Sequence, residues 1–314
     1  MDKIFLPIIC GPTASGKTSL SIELAKAFDG EIISADSMQI YTGMDIATAK
    51  PDEAEMQGIP HHLIGIIPPT EKFSVADYKV LADRAIADVA LRGKLPIMAG
   101  GTGLYIDTVA ENITFSEEKT DFALRERLKT EAKALGNAQM HKRLASVDPV
   151  TAARMHENNI GRIIRALEVY EQTGVPMSVH KKNSRKYESP YCPLYIGLDY
   201  RDREVLYKRI NLRVDMMLKD GLVEEAKRIY DSSKQLYTSY QAIGYKELSP
   251  YFSGEKTLSD CVEILKLRTR QYAKRQLTWF RRNEKIHWIY PDEEKNNENV
   301  IKKAKKLIEN FSDI

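Results

Sequence analysis

Long apolar runs are missing from this 314-residue chain, since no stretch approaches the roughly 20 apolar residues that a membrane-spanning helix needs. The run Ile4–Cys10 follows a lysine but is shorter than most signal-peptide cores, and it leads directly into a glycine and a proline. The sequence therefore predicts neither a membrane segment nor a secretion signal. We expect a cytoplasmic protein.

Cysteine is also scarce. Cys10, Cys192 and Cys261 lie far apart and form no CxxC pair, zinc spacing or disulfide framework, which fits a reducing compartment. Charge of one sign is not in excess either, because 47 Lys and Arg against 44 Asp and Glu give a formal charge of +3. Overall charge therefore does not indicate a nucleic-acid partner, and only the distribution of charge is informative.

Apolar runs and helical patterns alternate over the first hundred residues. The predicted strands are Ile4–Ile9, Glu31–Ala35, His62–Ile67 and Leu95–Ala99, and the predicted helices are Ser19–Phe28 and Ser74–Leu91. This alternation is typical of an α/β fold with a mostly parallel sheet and helices on both faces. Ligands of such sheets bind beyond the carboxyl ends of the strands.

The strand pattern stops between about residues 115 and 186, where charged, helix-forming sequence ends in a basic linker. One more strand is predicted at Leu194–Leu198, and helices after it. The sequence thus predicts a core of the kind found in P-loop NTPases with an inserted all-helical domain. Its parts are 1–114 (first part of the core), 115–189 (helical insertion) and 190–314 (completion of the core, with a basic helical C-terminal part).

The segment GPTASGKT matches the P-loop pattern G-x-x-x-x-G-K-[ST], with a strand before it and a helix after it. Its backbone N–H groups and the helix N-terminus form an anion site. We expect Lys17 to neutralise terminal phosphate oxygens and the Thr18 hydroxyl to help hold Mg²⁺. The predicted phosphate-binding residues are Gly11, Pro12, Thr13, Ala14, Ser15, Gly16, Lys17 and Thr18.

The acid expected of a phosphate-hydrolysing P-loop enzyme is missing after Leu95–Ala99, where Gly100, Gly101 and Thr102 follow. The second strand ends instead at Asp36. This pattern argues against an NTPase, although it leaves a small-molecule kinase open. The acid at the carboxyl edge of the sheet is available to an organic acceptor.

Six motifs stand in order along the chain: GPTASGKT, ADSMQIYTGMDIATAKP, AGGTGLY, RALEVYEQTG, QAIGYKE and RQYAKRQLTWFR. Together they resemble the tRNA dimethylallyltransferase family, and the resemblance runs from about Ile8 to Trp288. It implies transfer of a dimethylallyl group from dimethylallyl diphosphate to N6 of adenine 37 in tRNA, with diphosphate leaving. The implied partners are therefore tRNA and dimethylallyl diphosphate, and the implied cofactor is Mg²⁺.

The resemblance also assigns roles to residues. Asp36 matches the family's catalytic aspartate, which takes the N6 proton as the new bond forms. Taken alone, an aspartate after a strand is also common turn chemistry. Thr102 matches a residue that contacts the target nucleotide, and Arg213 matches an arginine that reaches the diphosphate. Lys17 and the loop amides would stabilise the charge of the leaving group.

On the RNA side, the target adenine must leave the stacked anticodon loop to reach a buried carboxylate. Gly161 stands where relatives commonly carry a polar or basic residue, so no side-chain contact is expected there. The residues expected to contact tRNA are Asp36, Ser37, Met38, Gln39 and Thr102 in the core, and Arg125, Gly161, Arg162, Ile163, Ile164 and Arg165 in the insertion.

The segment 266–285 holds eight Lys or Arg against the single acid Glu284. We predict a helix on which Arg268, Arg275 and Arg282 recur every seven residues. Such a stripe suits a phosphate backbone. A solvated basic face is the alternative.

Two other classes of function remain at this point. A prenyltransferase of free adenine nucleotides, or a small-molecule P-loop kinase, would need neither the insertion nor the basic helix. A non-catalytic RNA-binding or switch protein would not need Lys17, Thr18 and Asp36 together. No membrane and no obligate protein partner are expected.

Overall fold

The computed structural model describes residues 3–115, 121–232, 236 and 238–312. These residues form a sheet of six strands, and every neighbouring pair is parallel. The strands are β1 (Ile4–Cys10), β2 (Gly30–Ser34), β3 (His61–His62), β4 (Leu95–Gly100), β5 (Tyr191–Leu198) and β6 (His287–Ile289). Their order across the sheet is β3-β2-β4-β1-β5-β6.

The described residues also form α-helices. They are α1 (Lys17–Ala27), α2 (Glu53–Met56), α3 (Val75–Leu91), α4 (Gly103–Ala110), α5 (Phe122–Leu135), α6 (Asn137–Val147), α7 (Pro149–Ala152), α8 (Ile160–Thr173), α9 (Met177–Asn183), α10 (Arg203–Lys219), α11 (Leu222–Asp231), α12 (Ser249–Phe252), α13 (Leu258–Phe280) and α14 (Asn297–Ser312). The start of α3 shows a local cause, because Ser74 and Asp77 form a reciprocal capping box there.

Both faces of the sheet are buried. Ile8 of β1 and Met98 of β4 pack with α3 and α4 on one face. The next residue of β1, Ile9, packs with Ile97, α1 and α14 on the other face. Successive side chains of a strand point to opposite faces, so an unbroken apolar strand requires helices on both. The predicted α/β class with a parallel sheet is confirmed.

Two strand predictions are wrong. The strand predicted at His62–Ile67 is only His61–His62, because Leu63 (φ +64°) and Gly65 (φ +59°) adopt left-handed backbone conformations that no strand contains. The region after β5, predicted to be all helical, contains β6. This short strand pairs with the carboxyl end of β5 and extends the sheet by one strand.

The chain divides into two compact units, Met1–Ala110 with Ser189–Ile314, and Glu111–Glu188. The bounds of the second unit differ by a few residues from those of the predicted insertion, 115–189. Its described residues contain no strand, and α5, α6 and α8 enclose a core that includes Leu128, Leu144 and Leu167. Within the described part of the chain, no helix has the length and apolar character needed to cross a membrane.

Candidate active site

The glycine-rich loop, Gly11–Thr18, joins the carboxyl end of β1 to α1. Gly16 precedes the helix with a φ of +96°, a conformation that glycine adopts at little cost. This turn places Lys17 in the first turn of α1, where the partial positive charge of the helix N-terminus favours an anion. The Lys17 ammonium donates a hydrogen bond to the Pro12 carbonyl oxygen at 2.6 Å.

A second cation enters the site from α10. The Arg213 guanidinium lies 3.4 Å from the Thr13 hydroxyl oxygen and borders the same cavity as Lys17. Burial, and then the nearby Arg213 charge, lower the pKa of Lys17 to about 8, while Asp36 opposes that shift. Burial lowers the pKa of Arg213 as well. Two buried cationic side chains that border one cavity form a site for a multiply charged anion.

Asp36 follows β2 at the carboxyl edge of the sheet. Its Oδ1 accepts hydrogen bonds from the backbone N–H groups of Met38 (2.9 Å) and Gln39 (3.3 Å). The aspartate is therefore a turn residue, and its carboxylate also lines the cavity. The turn fixes the carboxylate within the site that contains Lys17 and Arg213.

Thr102 follows β4 and bonds to the residues on either side of Asp36. Its backbone N–H donates to the Ala35 carbonyl at 3.1 Å, and its hydroxyl accepts from the Ser37 N–H at 3.1 Å. The ends of β2 and β4 approach so closely that a Cβ on Gly100 would lie 2.2 Å from the Ala35 oxygen. Thr102 thus contacts the residue next to Asp36, although it does not itself line the cavity.

One cavity of about 290 Å³ joins these groups. Among the residues predicted to bind diphosphate or the target base, it is lined by Thr13, Ala14, Lys17, Thr18, Arg213, Asp36, Ser37, Met38 and Gln39. Its apolar lining includes Ile210, Val214, Met217, Leu222 and Leu265. An anion site beside an apolar wall is suited to a ligand that carries a phosphate group on a hydrocarbon.

The residues present also fit a magnesium ion. Thr18 lines the cavity, and the buried Ser15 hydroxyl has no hydrogen-bond partner. No group of three or more His, Cys, Asp or Glu side chains in the described residues is arranged to hold a metal. Mg²⁺ bound with phosphates typically uses one or two protein ligands and takes its other oxygens from phosphate and water.

A second acid at this sheet edge is already paired. Asp199 follows β5, the neighbour of β1, and is buried. Arg203 donates to both of its carboxylate oxygens, at 2.6 and 3.0 Å, and Arg281 donates to Oδ2 at 2.9 Å. These two cations pair with Asp199, and among the described residues Asp36 supplies the one carboxylate in the cavity lining.

Comparisons with known proteins show the family of this chain. The model of the IPP transferase family matches residues 39–283. The chain is 50% identical over 312 residues to the tRNA dimethylallyltransferase of Acetivibrio thermocellus, covering 99% of each chain. It is 53% identical over 282 residues to the enzyme of that name from Bacillus subtilis, covering 90% of this chain and 89% of the relative. This chain belongs to the IPP transferase family.

Solved structures of the family share the fold. A full-length tRNA isopentenylpyrophosphate transferase from Bacillus halodurans matches with a TM-score of 0.73 and 43% identity, covering 99% of each chain. A eukaryotic dimethylallyltransferase described as acting on tRNA matches with a TM-score of 0.81 and 31% identity. That match covers 98% of this chain and 80% of the other.

The residues of the helical unit that were predicted to contact RNA lie in two environments. Gly161 and Arg162 are exposed at the start of α8. The side chains of Ile163 and Ile164 instead lie in the core of the unit. Arg125 and Arg165 both pair with the fully buried Glu168: Arg125 donates at 2.7 and 3.0 Å, and Arg165 Nη1 lies at 3.1 Å.

The prediction that one helix carries the whole basic stripe is wrong, because the helix ends before Arg282. Helix α13 ends at Phe280, where the N–H groups of Arg282 and Asn283 bond three residues back and tighten the chain into a turn. Arg282 therefore lies beyond the helix. Arg275 lines the cavity, while Arg268 is exposed on α13 and bonded to Gln271.

Two buried polar residues of the site could not be identified as site residues from the sequence. Gln276 of α13 bonds to the glycine-rich loop and to the segment after β4. Glu225 of α11 accepts backbone N–H groups from Asp45, Ile46 and Ala47 at 2.8 to 2.9 Å, and it accepts the Tyr245 hydroxyl at 2.9 Å. Since glutamine and glutamate are mostly exposed on helices, only the tertiary structure identifies them.

Proposed function

We propose that this chain transfers the dimethylallyl group of dimethylallyl diphosphate to N6 of adenine 37 in tRNA and releases diphosphate. One observation carries the proposal: two cations, Lys17 and Arg213, and one carboxylate, Asp36, line a single cavity that also has an apolar wall. The names of the 50% and 53% identical relatives support it.

The leaving group is bound by the glycine-rich loop and α10. Cleavage of the carbon–oxygen bond builds negative charge on the diphosphate, and Lys17 and Arg213 are already in place to stabilise it. Thr18 is the residue that would hold Mg²⁺ there, and a bound Mg²⁺ would supply further neutralisation of the diphosphate. The diphosphate leaves with the electron pair of the broken bond.

The hydrocarbon end of the donor fits the apolar lining from α10, α11 and α13. Val214, Met217, Leu222 and Leu265 offer no hydrogen-bonding side-chain atoms there. Their role is to exclude water from the allylic carbon as positive charge develops on it, because water at that position would give the alcohol.

The acceptor is activated at Asp36. The N6 nitrogen forms its bond to the allylic carbon and loses a proton, which passes to the carboxylate. Because Oδ1 already accepts two backbone N–H groups, we assign proton acceptance to Oδ2. Thr102 acts on this step through Ser37, whose N–H it holds in the same turn.

The RNA is bound through its phosphates and through the flipped base. Exposed cations on and after α13, Lys274, Arg275, Arg282 and Lys285, supply phosphate contacts. Gly161 and Arg162 at the start of α8 supply the contact to the anticodon loop. The free cysteines fit an enzyme of a reducing cytosol, where tRNA is available.

The test offers the enzyme a choice of acceptors. The protein is incubated with Mg²⁺ and labelled dimethylallyl diphosphate, together with unmodified tRNA, the same tRNA with guanine at position 37, AMP or ATP. We expect label only on the first tRNA and no phosphate release from ATP. Labelling of AMP or ATP but not of tRNA would support the free-nucleotide prenyltransferase instead, and phosphate transfer from ATP would support a kinase.

A further inference from the structure

Gln276 connects the two halves of the site. It is 6% exposed, and its Oε1 accepts a hydrogen bond from the Thr13 N–H at 2.9 Å. Its Nε2 donates to the Gly101 carbonyl oxygen at 2.9 Å. Thr13 lies in the glycine-rich loop, and Gly101 immediately precedes Thr102. One buried side chain therefore contacts the loop that binds diphosphate and the segment that holds the Asp36 turn.

The contact is specific for a glutamine amide. One end must accept from an N–H group and the other must donate to a carbonyl, and a carboxylate or a thioether cannot do both. The chain is also shaped around this amide, since a Cβ on Gly101 would lie 2.2 Å from Nε2. The Thr13 N–H is already paired with Gln276, so α13 fixes the position of the loop at this residue.

A chain of contacts continues from Gln276 to the carboxylate. Gly101 leads to Thr102, whose hydroxyl accepts the Ser37 N–H, and Ser37 adjoins Asp36. We propose that Gln276 is a positioning residue that couples occupancy of the diphosphate site to the geometry of the acceptor site. The proposal rests on the proposed function for its chemical meaning, although the coupling itself can be measured by binding alone.

The first test is hydrogen exchange of the Ser37 amide in the full-length protein, with and without inorganic diphosphate and Mg²⁺. We expect diphosphate to slow exchange of this amide about tenfold in the wild type, within the usual range of coupling between sites. Unchanged exchange at Ser37 despite bound diphosphate would overturn the inference. Failure to bind diphosphate at all would overturn it together with the proposed function.

Two variants extend the test. Gln276→Met keeps a long side chain but removes both hydrogen bonds, and Gly101→Ala displaces the amide from the other side. In both, diphosphate should still bind but no longer protect Ser37, and kcat should fall about tenfold or more while the tRNA dissociation constant stays unchanged.

The matched control is Gln271→Met on the same helix, where the glutamine accepts from Arg268 at 3.0 Å. It should behave as the wild type in both measurements. Protection of Ser37 that survives in folded Gln276→Met protein, with kcat unchanged, would assign Gln276 a purely structural role. An inactive wild type whose Ser37 is nevertheless protected by diphosphate would contradict the proposed function alone.

Discussion

Lys17 and Arg213 line one cavity, and burial together with the nearby Arg213 charge lowers the pKa of Lys17 to about 8. The loop and α10 thus hold two cations beside one cavity, where Asp36 compensates only part of the shift and a bound anion would favour the charged form of Lys17 further. The diphosphate leaving group supplies that anion. The electrostatic cost in the free protein is the reason the site selects a highly charged ligand.

Binding of inorganic diphosphate should therefore weaken as the pH rises through about 8. Above that value the free enzyme has lost the Lys17 charge. A bound anion raises the pKa of Lys17, so the Lys17 amine takes up a proton from the solvent when the anion binds. Calorimetry at several pH values measures both effects. In Lys17→Met the Lys17 component of the pH dependence should disappear, and turnover should fall roughly 10²-fold or more.

The control for this prediction is Lys26→Met. Lys26 lies on the same helix with 40% of its side chain exposed, outside the cavity. It should keep the wild-type pH dependence. A Lys17→Met protein with normal affinity and turnover would remove this lysine from the mechanism.

Asp36→Asn should separate chemistry from binding. The amide keeps the shape of the carboxylate but cannot take the N6 proton, so the single-turnover rate should fall by about 10²–10⁴-fold. The tRNA dissociation constant should change little, because phosphate contacts dominate affinity. Asp231→Asn, an exposed aspartate on α11, serves as the control. Weakened tRNA binding with an unchanged rate would demote Asp36 to a positioning residue.

Glu225→Gln should loosen the wall of the cavity. The buried carboxylate accepts three backbone N–H groups from Asp45, Ile46 and Ala47, and replacing it weakens these contacts at a cost of roughly 1–3 kcal/mol of unfolding free energy. Because Ala47 lines the cavity, KM for dimethylallyl diphosphate should rise as well. Urea unfolding and steady-state kinetics measure the two effects.

The adjacent Glu224 is exposed, and Glu224→Gln provides a control that changes the same chemical group on the same helix. Equal stability of the two variants would show that the buried contacts of Glu225 contribute little.

Glu168→Gln should destabilise the helical unit. Glu168 is fully buried between Arg125 and Arg165, and neutralising it leaves two guanidinium groups without their counter-charge. We expect a loss of about 1–3 kcal/mol, seen as faster hydrogen exchange in α5 and α8. The exposed Glu126, replaced by Gln, should leave exchange in both helices unchanged.

Local sequence patterns predicted those elements whose structure depends mainly on residues that are close in the sequence. Around Gly11–Thr18, an apolar run predicts the strand, the glycines predict the turn, and the helical spacing of apolar residues predicts the helix. The structure contains all three. Helix α3, predicted over Ser74–Leu91, is observed over Val75–Leu91. Asp36 follows β2 at the sheet edge because parallel strands end together there.

Features that depend on distant contacts were not predictable in this way. Gln276 bonds to Gly101, 175 residues away in the chain, and its helical position looks like that of any surface glutamine. The left-handed conformation of Leu63 ends β3, although this position holds neither the glycine nor the proline from which such an end could be predicted. The three residues of β6 are too few for a periodic signal beside the basic segment.

The most direct test of the central claim is nucleoside mass spectrometry of tRNA. Unmodified tRNA is incubated with the enzyme, Mg²⁺ and dimethylallyl diphosphate, with the Asp36→Asn enzyme in parallel. One part of each product is digested to nucleosides, and the other is cut by a ribonuclease into oligonucleotides whose masses locate the modified position. We expect a single new adenosine derivative, heavier by one C₅H₈ unit and carried at position 37, and almost none of it with Asp36→Asn. An unchanged adenosine at position 37 after complete turnover of the donor, or prenylation at another base, would contradict it.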